Sequence, residues 1–78
     1  MSNVPHELHE EFPEYNERIH ELKVSDAHFQ RLAGAYHEIN RAVHRAETNV
    51  EPTDDFHLEE MRKQRLKLKD EIFAMLQA

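Results

Sequence analysis

The 78-residue chain has no cysteine, no tryptophan and a single glycine. Without cysteine neither a disulfide framework nor a thiolate metal site can form, and a reducing compartment is the natural setting. No apolar run approaches the roughly 20 residues that a membrane span needs. The opening residues, Met1 to Glu7, lack both a basic n-region and an apolar core, so they do not read as a signal peptide. A cytoplasmic protein with no membrane span is the resulting expectation. Positive charge is also short: the net charge is −6, which disfavours nucleic acid as the default partner. Strand-like alternation is missing, and turn-forming glycine and asparagine are scarce, which disfavours a β-domain.

What is present is helical. Before residue 47, apolar residues recur at Phe12, Tyr15, Ile19 and Leu22, then at Phe29, Leu32, Tyr36, Ile39 and Val43. The steps alternate between three and four, apart from the gap between Leu22 and Phe29, as a helical seam requires. A second seam runs through Leu58, Met61, Arg65, Leu68, Ile72 and Met75. Leu66, Phe73 and Leu76 widen it toward the C-terminus, which suits a helix with more than one neighbour. Between the seams, residues 47–53 read as the loop, with Thr53-Asp54-Asp55 as the N-cap of the second helix.

The expected fold is therefore all-α: an antiparallel two-helix hairpin, coiled-coil-like, with an N-terminal helical extension, in a single domain spanning residues 1–78. The first helix covers about 13–46 and the second about 54–77. A short loop makes the two neighbours, and with the loop centred near Val50 facing residue numbers sum to about 100. Leu58 then meets Val43, Met61 meets Ile39, Leu68 meets Leu32 and Ile72 meets Phe29. Arg65 falls opposite Tyr36 and Ala35. Either its stem packs along the seam with the guanidinium in water, or it pairs with a carboxylate such as Glu38 and fixes register. The small run Ala33-Gly34-Ala35 leaves room there for close helix approach.

A continuous first helix would run about 50 Å against about 36 Å for the second, leaving Leu8, Phe12, Tyr15 and Ile19 without an intrachain partner. Two solutions exist. A homodimer covers them, which is the preferred expectation. Alternatively the chain breaks near 23–26, where Ser25-Asp26 can cap a new helix, and the N-terminal segment folds back as a three-helix monomer. In the dimer, Leu8, Phe12, Tyr15 and Ile19 hold the intersubunit contact, and Leu66, Phe73 and Leu76 form a partner-facing patch.

Several residues taken together resemble the YdcH family of small uncharacterised bacterial proteins: Phe12-Pro13-Glu14, Leu22-Lys23, Ser25-Asp26-Ala27-His28-Phe29, Tyr36-His37-Glu38-Ile39-Asn40, Glu51-Pro52 and Leu66-Lys67-Leu68-Lys69-Asp70-Glu71. The resemblance runs from about Leu8 to Leu76, with Ala33-Gly34-Ala35 smaller than the family pattern. It implies a bacterial cytoplasmic protein with a helical-hairpin or coiled-coil fold. It implies no activity and assigns no residue a role.

Two clusters carry chemistry. The chain has seven histidines. His6 and His9, spaced i,i+3, could chelate a metal with Glu10, whereas His37 and His44 lie about 10 Å apart along one helix face. None of this matches a recognised metal signature, so no metal or other cofactor is expected, and His6 and His9 are the weak candidates. The run from Arg62 to Lys69 holds five bases and no acid, while residues 1–27 hold seven acids against Arg18 and Lys23. No aromatic platform is interleaved with the bases, as single-strand binders usually have. Pairing with the acidic N-terminal segment, of the same chain or a neighbour, is the preferred reading, and nucleic acid the alternative. Catalysis is not expected. Ser2 and Ser25 lack a Gly-rich elbow, His37-Glu38 is a common helix dyad, and a thin hairpin has no pocket to exclude water. The composite expectation is a small self-associating adaptor or regulator with an unknown protein partner.

Overall fold

The computed structural model describes residues 5–48 and 54–78, and among them every regular element is helical. The chain runs through a short helix α1, Leu8–Glu11, then a 3-10 turn at Pro13–Tyr15. Helix α2 follows at Asn16–Ser25, then α3 at Ala27–Glu47 and α4 at Asp55–Gln77. The loop expected over 47–53 lies, apart from Glu47 and Thr48, outside the described residues.

Asp26 divides the first seam. Its backbone is extended, with φ −127° and ψ 110°. Its side chain accepts a hydrogen bond from the Phe29 N–H at 3.0 Å. One residue thus ends α2 and satisfies an orphan donor of α3. Asp54 does the same for α4 through the His57 N–H. Pro13 heads the 3-10 turn, so the helix expected to begin near residue 13 begins instead at Asn16.

The break sends the N-terminal segment back over the helix pair. Leu8, Phe12, Ile19 and Leu22 join Phe29, Leu32, Ala33, Tyr36, Ile72 and Leu76 in one buried cluster. Tyr15, Leu68, Phe73 and Met75 pack against its edge. A second cluster, Val43, Ala46 and Met61 with Ile39, Ala42 and Leu58 beside it, occupies the other end of the α3–α4 pair. This corrects the assignment of Leu8, Phe12, Tyr15 and Ile19 to an intersubunit contact. Leu8, Phe12 and Ile19 are buried within the chain, and Tyr15 meets Phe73 edge-on at 6.0 Å. The unpartnered overhang from which a dimer was inferred is absent, because the cap at Asp26 turns it inward. Phe73 and Leu76 are likewise engaged inside the chain, and of the expected partner-facing patch only Leu66 stays exposed.

As numbers rise along α4, their contacts on α3 fall: Arg62 bonds Glu47, and Arg65 bonds Asn40. Arg65 therefore reaches one turn beyond its expected position opposite Tyr36, and its partner is an amide, not Glu38. Helical side chains lean toward their own N-terminus, which carries a long arginine away from its geometric opposite. Gly34 gives no close approach either. It is exposed, and a Cβ built on it would meet no atom within 4 Å.

Candidate functional site

The polar chemistry concentrates where residues 5–12 cross α3 and α4. His6 has φ 66°, the only non-glycine residue at positive φ among the described residues. Histidine tolerates this left-handed region better than most side chains, and the strain persists only where surrounding contacts over-determine it. Those contacts are present. The Tyr36 hydroxyl donates to the His6 carbonyl at 2.6 Å, and the Asn40 amide donates to the Pro5 carbonyl at 2.8 Å.

Asn40 is fully buried. Its Nδ2 lies 3.4 Å from Glu7 Oε1 as well, and its Oδ1 accepts from Arg65 Nη1 at 3.0 Å. One amide thus links the N-terminal segment, α3 and α4, and no buried side-chain polar atom among the described residues lacks a partner. Tyr36 is almost wholly buried beside it. Burial and the nearby Glu11 and Glu7 charges hold its hydroxyl protonated, with a pKa pushed up to about 12 despite the opposing Arg65.

A second fastening lies at Glu11. Lys69 Nζ donates to its carboxylate at 2.7 Å and sits 5.9 Å from the Phe12 ring centroid, a cation–π distance. Phe12 stacks on Phe73 at 5.3 Å with the rings 7° apart. The hydrogen bond from Lys69 holds the Glu11 carboxyl below its ordinary value of 4.5, outweighing partial desolvation; His6, 3.4 Å away, adds to the lowering. Because the folded pKa is depressed, its stabilisation is fully present above pH 4.5 and fades as pH falls below that. Glu11→Gln is therefore expected to flatten the acid limb of stability. Urea midpoints measured from about pH 6 to about pH 2.5 would report it; an unchanged acid limb in the variant would show that Glu11 contributes nothing there.

The bases of the 62–69 run are largely engaged within the chain. Arg62 bonds Glu47 and Glu59, Arg65 bonds Asn40, and Lys69 bonds Glu11. The last is the expected pairing with the acidic N-terminal segment of the same chain. Lys63 and Lys67 have no partner among the described residues.

The histidines are dispersed. His6 faces Glu11, and His37 Nδ1 lies 3.3 Å from Glu7 Oε2. His9 does not join His6 and Glu10 in a ligand set; among the described residues no three His, Asp or Glu side chains are placed to hold a metal ion. His9 instead borders an open groove of about 500 Å³ between α1, α2 and α3. The thin hairpin envisaged from sequence had no such depression; the folded-back segment creates it. Among the described residues, no helix is long and apolar enough to cross a membrane.

Sequence reasoning missed Asn40, Glu7 and Glu11. A signal for Asn40 existed: it continues the seam between Tyr36 and Val43, as Arg65 does between Met61 and Leu68. Two polar residues interrupting facing seams point to each other. Glu7 and Glu11 gave none among so many acids.

A sequence model of the family described as "Protein of unknown function (DUF465)" matches residues 29–76, well over half the chain. The chain belongs to this family. The DUF465 match starts at the buried Phe29 and ends at Leu76, so it covers Tyr36, Asn40, Arg65 and Lys69 but not Glu7 or Glu11. No curated protein and no solved structure matches the chain.

Proposed function

We propose that this protein is a small non-catalytic interaction protein, a cytoplasmic adaptor or regulator that self-associates through the outward face of α4. In this reading α3 and α4 form an antiparallel hairpin, the unit suggested by the resemblance to the bacterial YdcH family, and residues 5–25 serve as its intrachain cover. One observation carries the proposal. Leu66 is 57% exposed and is bracketed by Lys63 and Lys67, which have no partner among the described residues. On the N-terminal segment, Glu10, Glu14, Glu17 and Glu21 are exposed as well. Leu66 of one copy, with Lys63 and Lys67 near it, meets exposed glutamates of another in this reading, and electrostatic complementarity selects partners in this way.

Self-association should therefore weaken as salt rises from about 0.1 M to about 1 M, where screening shortens to about 3 Å. Leu66→Glu should weaken it at least about tenfold, the equivalent of roughly 1.4 kcal/mol, while leaving helix content intact because the site is exposed. Light scattering across a concentration series measures both. A strict monomer at high micromolar concentration would reject self-association. The nucleic-acid alternative retains only Lys63 and Lys67 as unengaged bases in the run, fewer than phosphate-dominated binding requires. A gel shift with total RNA at physiological salt tests it.

A further inference from the structure

Gly34 has no structural explanation in the fold itself. Its φ is not positive, and an added Cβ would touch nothing. It nevertheless sits inside a 21-residue helix, where glycine is less favourable than alanine. Its evident physical consequence is depth: with Ala33, Leu8 and Ile19 it lines the groove of about 500 Å³. That volume falls in the range of small-molecule sites.

The polar residues around the groove indicate what it would accept. Glu7 is committed to Asn40 and lies beside His37. His9, Asn16, His20 and Lys23 also line it, and none of their side chains has a partner among the described residues. Lys23 is the cation of the lining set, and the others can each donate N–H. An apolar floor under unengaged donors and one unpaired cation suits a ligand with an apolar body and an anionic head.

We propose that this groove binds a small amphipathic anion, an aryl or alkyl chain bearing a carboxylate, sulfonate or phosphate. The apolar body lies over Leu8, Ile19 and Gly34, and the anionic group meets Lys23 and its neighbouring donors. This site is independent of the α4 face and stands whether or not the chain self-associates.

The single glycine makes the test direct, because ¹⁵N-glycine labelling of the full chain gives one backbone amide signal, on the groove floor. Anilinonaphthalene sulfonate serves as the anionic probe and N-phenylnaphthylamine as its neutral counterpart. The sulfonate is expected to shift the Gly34 signal saturably, with the neutral amine at least tenfold weaker. Lys23→Met should remove that preference. Gly34→Leu, followed by probe fluorescence, should weaken binding at least tenfold while raising the urea midpoint, since leucine is the better helix former. Loss of binding in a more stable protein cannot be attributed to unfolding. An unmoved Gly34 signal, equal affinity for the two probes, or undiminished binding to Gly34→Leu would each overturn the proposal.

Discussion

Phe12→Ala is expected to destabilise the protein by about 3–5 kcal/mol, the usual cost of removing a buried phenylalanine. Phe12 is 9% exposed, stacks on Phe73 and carries Lys69 over its ring. A chain of this length has about 4–12 kcal/mol of stability in all, so the variant should be close to unfolding at 37 °C. The form of the loss matters as much as its size. Phe12 is covered by its own chain, so the loss should be the same at protein concentrations a hundredfold apart. Were Phe12 instead held by a second subunit, the difference between wild type and variant would grow with concentration, because only the wild type would gain from that contact. Urea unfolding at two concentrations separates these cases.

Asn40→Ala should rank next, at about 2–3 kcal/mol. The change removes a buried amide and strands two groups at once: the Pro5 carbonyl loses its donor, and the Arg65 guanidinium loses the acceptor 3.0 Å away. Both bonds are part-buried and one is to a charged group, so the loss comes from breaking the two together. The loss should also have a location. Amide exchange of Glu10, Glu11 and Phe12, whose N–H groups bond Glu7 and Leu8 carbonyls, should accelerate more than exchange along α3. In a double-mutant cycle, Asn40→Ala and Arg65→Met should be non-additive by at least about 0.5 kcal/mol, because the second substitution removes the group that the first strands. Strict additivity would mean that the two do not act together.

Phe12 and Asn40 also show how far the sequence could be read. Phe12 announced itself as an apolar residue in need of cover, but nothing in its spacing said whose. Covering it with a second copy and covering it with the same chain satisfy the same hydrophobic requirement. The choice turned on Ser25-Asp26, where a capped break and an exposed stretch of continuous helix have the same local pattern. The place of Asn40 on its seam points to Arg65, but its other partner, 35 residues away at Pro5, leaves no local trace. Arg65 stands out as an exception on its seam, but spacing alone gives no direction for its reach.

By itself the sequence determined the helical content, the two apolar seams and the cap at Asp54, because these depend on spacing and on side chains bonding their own backbone within a turn. It also determined that Leu8, Phe12 and Ile19 had to be covered, because water penalises apolar area whatever the topology. Only the tertiary structure decided that the cover is intrachain, that Asn40 joins three segments, and that a groove opens over Gly34. Each of these depends on the angle at which the chain turns at Asp26 and on the polar contacts that hold the returned segment. Residues far apart in the chain settle those jointly.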